Sequence, residues 1–169
     1  MKKVVQILPF AFFLFLMVSA CSPKYGIYSA KAYLRESNRG TQQVNDNNLP
    51  AGSTRLRENL LYIETAMEKP PVFTTAWIDQ KAYTVQAVKA QPNVTIGTTK
   101  DSNQEVSITV KEGNQLWQLL LTENHTASLD TAARTVVEKH PIVLTGIWKE
   151  KSFVYPVENR TILEGILYQ

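Results

Sequence analysis

"EVSITVKEGNQLWQLLLT", residues 105–122, decides how the chain is read. In its first half Val106, Ile108 and Val110 alternate with Ser107, Thr109 and Lys111. Successive side chains of an extended strand point to opposite faces, so this alternation makes one face apolar and leaves the other in water. Trp117, Leu119 and Leu121 repeat the pattern in the second half. Between them "EGN", residues 112–114, offers a reversal with a glycine able to take positive φ, and the whole stretch predicts a β-hairpin.

The same texture continues on both sides. "ENLLYIET", "VFTTAWI", "AYTVQAV" and "NVTIGTT" precede it, "PIVLTGIW", "SFVYPV" and "TILEGILY" follow it, and turn residues separate them. Residues 55–169 therefore predict a single, mainly β domain: a small antiparallel β-sandwich or barrel built from hairpins. Two segments match weakly, "TAWIDQKAY" at 75–83 and "TGIWKEKSF" at 145–153, with reversals at Asp79-Gln80-Lys81 and Lys149-Glu150-Lys151. They are either an internal repeat or two surface hairpins sharing a common pattern. "SLDTAARTVVEKHP" departs from the strand texture: Leu129, Ala132, Ala133, Val136 and Val137 form a helical stripe, Ser128 can cap it and Pro141 follows its end. One short helix is expected near 128–139.

Upstream, the chain turns polar. "RGTQQVNDNNLPAGST", residues 39–54, reads as a linker, and residues 21–54 as a whole read as a tether. Within it "YSAKAYLRES", residues 28–37, predicts a short helix capped by Ser29, while Tyr25, Tyr28 and Tyr33 would suit docking of this part on the domain. The domain itself is expected to fold from about Leu56 onward.

The chain opens with "MKKVVQILPFAFFLFLMVSA", residues 1–20: two lysines, an apolar core from Ile7 to Val18, then small residues. That is the layout of a secretory signal peptide. With Cys21 directly after it, Val18-Ser19-Ala20-Cys21 resembles the lipobox of bacterial lipoproteins. The resemblance, confined to residues 1–21, implies cleavage before Cys21, a diacylglyceryl group on its sulfur and an acyl chain such as palmitate on the new amino terminus. An uncleaved transmembrane helix over the uncharged stretch Val4 to Pro23 is the alternative, weakened by Gln6 and Pro9. Ser22 resembles the residues that permit sorting to the outer membrane in enteric bacteria. The expected location is the bacterial cell envelope, lipid-anchored in the outer membrane and facing the periplasm.

The signal holds two of the 18 basic residues and no acid, so cleavage leaves 16 basic against 15 acidic residues and a net charge of +1. A nearly neutral domain has no electrostatic footprint for nucleic acid. Cys21 is the only cysteine, so the exported fold uses no internal disulfide.

No catalytic constellation emerges. His125 and His140 have no Cys or second His at metal-ligand spacing, no Gly-x-Ser-x-Gly elbow singles out a serine, and Glu64 and Glu68 are not set against each other by any pattern. Glycine-rich phosphate loops are absent from the sequence, and no catalytic residue, metal or cofactor is predicted. Trp117 is expected inside, by alternation. Trp77 and Trp148 stand beside the two matched turns; packing in the core is the first reading of each, and a half-exposed ring there could instead anchor a partner or a sugar face. The expected function is that of a non-enzymatic envelope lipoprotein whose β domain binds another protein, as an accessory or assembly component of a secretion- or conjugation-type machine. A glycan or small-ligand binding lipoprotein is the alternative, and a hydrolase the third class.

Overall fold

The computed structural model describes residues 23–38, 55–66 and 68–166. Among them are ten strands and one helix: β1 (Ile27–Asn38), β2 (Arg55–Thr65), β3 (Val72–Ile78), β4 (Lys81–Ala90), β5 (Asn93–Thr98), β6 (Glu105–Thr109), β7 (Gln115–Glu123), α1 (Thr131–Lys139), β8 (Ile142–Trp148), β9 (Lys151–Val157) and β10 (Arg160–Leu163). The fold is mainly β, and the strand-sized runs read from the sequence are strands except the last, of which residues 161–163 lie in β10 and 164–166 follow it as irregular chain. The signal peptide at 1–20, Cys21 and the linker at 39–54 lie outside the described residues.

Eight strands form one sheet in the order β10-β1-β2-β7-β4-β3-β8-β9, antiparallel throughout except for the parallel pair β1 and β10. Strand twist and bulges at Ile27/Ser29 and Phe73/Thr75 curl it into a half-barrel. The curl brings distant strands together: Tyr25, just before β1, stacks on Phe153 of β9 at 4.9 Å between ring centroids. One apolar cluster on the concave face joins Ile27 and Ala32 of β1 to Ile63, Leu119, Leu144 and Phe153.

The convex face is covered in two places. Strands β5 and β6 form a separate two-stranded sheet that packs Ile96 and Ile108 on Tyr33, Leu60, Tyr62 and Leu163. Helix α1 lays Val137 over Trp77 and Val143. Strand β7 serves both layers, with Trp117 and Leu119 on the concave side and Leu116 on the convex side. Strand directions give the half-barrel two ends. The near end holds the start of β1, the end of β2 and the β8–β9 turn; the far end holds the start of β2, the end of β7 and the β3–β4 turn.

Four expectations are corrected. Residues 105–122 are not a hairpin, because β6 pairs with β5 and β7 lies between β2 and β4. Gly113 does take φ +83°, and the Asn114 amide donates to the Lys111 carbonyl at 3.0 Å, but the turn passes the chain from one layer to the other. The Glu64 carboxylate fixes it there, accepting from the Lys111 amide, the Asn114 side chain and Ser29. Residues 28–37, expected as a helix inside a tether, belong to β1, the longest described strand. Partners on both sides, β2 and β10, outweigh the helix preference of its alanines. Ile27–Asn38 therefore shares one sheet with the strands from Arg55 onward, and the domain does not begin at 55. The cap of α1 is Asp130 and not Ser128: its Oδ1 accepts from the Ala133 amide at 2.6 Å.

The two matched segments form the two-residue hairpins β3–β4 and β8–β9, with positive φ at Asp79, Gln80, Lys149 and Glu150. They lie side by side through β3 and β8, where Thr75 pairs with Thr145.

Candidate functional site

The ladder between β2 and β7 runs from Thr65↔Gln115 to Leu61↔Leu119 and then stops. Continued in register, it would match Leu60 with Leu120, Asn59 with Leu121, Glu58 with Thr122 and Arg57 with Glu123. None of these pairs forms, although β2 stays paired to β1 through Arg55 and β7 to β4 through Glu123. The far end of the sheet is thus a fork, two strands parting with their facing edges unpaired. A strand edge of this kind is a template for another extended chain.

The fork holds a cleft of about 520 Å³, lined by Leu56, Asn59, Tyr83, Leu119, Leu120 and Leu121 among others. Its apolar side chains include Leu56 and Leu120, which are 37% and 44% exposed. On the β2 side the charges are already neutralised across the β1–β2 ladder. Arg57 donates from Nε to Glu36 at 2.9 Å, and Arg35 donates to Glu58 at 3.0 Å. Tyr83 is pushed above the ordinary phenol value, first by burial and then by Glu123 and Asp79, so it stays a neutral donor. One group stands out: Asn59 Oδ1 is buried with no protein partner. Such an acceptor is costly to enclose and gains most from an arriving N–H.

A smaller recess of about 300 Å³ lies next to the fork beside the β3–β4 turn, lined by Trp77, Lys81, Glu123, Asn124 and His125 among others. His125 Nε2 stands 3.7 Å from Glu123 Oε2. Trp77, the first of the two possible anchors, is only 7% exposed because α1 covers it. Trp148 is half-buried at the near end, with its ring against Gly26 and Lys149 Nζ 5.6 Å from the ring centroid. The structure therefore does not bring Trp77 and Trp148 together. Trp117 is buried as expected, its Nε1 donating to Thr65 Oγ1 at 3.0 Å. His140 ends α1, its amide donating to the Val136 carbonyl. Among the described residues no three His, Cys, Asp or Glu side chains gather as they would for a metal ion, and no helix is long and apolar enough to cross a membrane.

Sequence reasoning missed the fork because it is a failure of pairing between strands more than fifty residues apart. One signal was available: Asn59 shares strand parity with the buried Leu61 and Ile63, so a polar side chain occupies the apolar side of β2. Comparison with protein-family models, curated proteins and solved structures finds no match to this chain.

Proposed function

We propose that the chain is a lipid-anchored protein of the bacterial cell envelope, held through Cys21 in the outer membrane on the periplasmic side. Its β domain binds an extended segment of another envelope protein and carries out no chemistry itself. Its place is that of an accessory or assembly component of an envelope machine, of the secretion or conjugation type. The observation that supports this reading best is the fork: four open rungs of a strand ladder, apolar side chains around them and a buried acceptor without a partner. A partner strand entering there would supply backbone N–H and C=O groups to the unpaired edges and an N–H to Asn59.

A photo-reactive residue in place of Leu120, expressed in the native envelope, tests it. The expected result is one defined protein adduct that is lost when cysteines at 59 and 121 are oxidised to staple the fork shut. An adduct that survives stapling, or the same adduct from the exposed Glu138 on α1, would refute the fork as the binding site.

A further inference from the structure

We infer that the near end of the half-barrel rests directly on the lipid surface, with the β8–β9 turn and the residues just before β1 seated among the headgroups. The inference relies on the proposed lipid at Cys21 and adds where the domain sits. The argument begins with chain length. Lys24 already bridges to Ile27, and Tyr25 is stacked on Phe153, so the fold begins three residues after the anchor. At about 3.3–3.6 Å per extended residue those three span roughly 10 Å. A leaflet's headgroup layer is itself about 5–8 Å deep. No stand-off tether therefore separates the lipid from the domain.

The chemistry of that end suits the position. Trp148 and Tyr25 are half-buried rings, each with a lysine close by: Lys149 Nζ is 5.6 Å from the Trp148 ring and Lys24 Nζ 5.3 Å from the Tyr25 ring. Rings with one apolar and one polar side collect at membrane interfaces, and lysines there meet anionic headgroups. Beside them Val72 and Ile147 are cross-strand partners left 65% and 45% exposed. Nothing in the described chain covers this pair, whereas β5–β6 and α1 cover two other parts of the convex face. The distance from the anchor makes the lipid surface its cover.

The test uses the full lipidated protein in vesicles of phosphatidylethanolamine and phosphatidylglycerol. The thioether occupies the native cysteine, so Lys151→Cys at the near end and His125→Cys at the far end each offer a unique thiol for an environment-sensitive dye. The expected result is a blue-shifted emission at 151 and several-fold stronger quenching there than at 125 by a nitroxide carried on the lipid headgroup. Equal quenching at the two positions, with the lipid on Cys21 verified by mass, would overturn the seating and leave the anchored protein intact as a reading. An unmodified Cys21 would overturn both.

Discussion

Replacing Asn59 by Leu separates folding from binding in the fork. The Oδ1 atom is buried without a protein partner, in a side chain that faces the same way as Leu61 and Ile63. Enclosing an unsatisfied acceptor costs about 1–3 kcal/mol, and a leucine of similar volume removes that cost. Leucine also suits a strand better than asparagine and adds apolar contact to Leu119 and Leu121, which line the same cleft. Because residue 59 is only partly buried, the gain is taken near the low end, at about 1–2 kcal/mol, or roughly 3–8 °C in melting temperature for a domain of this size. Urea unfolding of the chain from Ser22 onward, with and without the substitution, measures it. Binding should move the other way: if a partner's N–H reaches Oδ1, the substitution loses about 1–2 kcal/mol of affinity. A variant destabilised by about 1 kcal/mol or more would show that the amide is satisfied in the free protein, and the vacancy in the fork would have to be abandoned.

Three other outcomes follow from the packing. A chain starting at Thr54 lacks β1 and with it the eleven pairs along β2 and the parallel ladder with β10; it should show no cooperative unfolding, whereas the chain from Ser22 should. Gly146→Ala should cost about 3 kcal/mol, since a Cβ there meets the Val72 carbonyl oxygen and lies 2.8 Å from the Phe153 ring; Gly113→Ala, with nothing within 4 Å but φ +83°, should cost only about 1–2 kcal/mol, and equal effects in thermal melts would contradict the register of β3 and β8. Burial would raise the Glu64 carboxyl, but hydrogen bonds from Asn114, the Lys111 amide and Ser29 outweigh it and hold it below the ordinary value. A lowered folded pKa stabilises fully above the unfolded value of about 4.3 and is lost as the pH falls through the folded value, so Glu64→Gln should flatten the acid limb of stability below about pH 4.3.

Strands were legible in this sequence and their neighbours were not. Val106, Ile108, Trp117 and Leu119 display the two-residue period in any window that contains them, and burial follows that period. Partners are chosen by surfaces that no window contains. Leu116 looks like one more apolar residue, but it marks β7 as buried on both faces, which a solvent-faced hairpin strand would not be. Residues 28–37 misled for the opposite reason: alanine, leucine and arginine favour a helix locally, and only β2 and β10 on either side make them a strand. Trp77 was a candidate anchor only because it stands beside a turn, and α1 folds back over it.

Placing the two ends of the half-barrel together gives the proposals a common geometry. Thr65 closes β2 at the near end, beside the start of β1, and the fork opens around Glu58, seven residues along the same strand. At about 3.4 Å per residue that is roughly 24 Å, and less once strand tilt is taken into account. A domain seated on the lipid thus presents its open edge about 20 Å above the membrane, on the side facing away from it. A partner would have to reach that height with an extended segment, and the fork has four open rungs to receive one. If the near end were instead lifted by a long tether, the height of the fork would not be set at all. Measuring the distance of a dye at position 125 from the lipid surface therefore bears on both proposals: a single narrow value near 20 Å is expected from the seated domain, and a broad spread would remove the seating while leaving the fork in place.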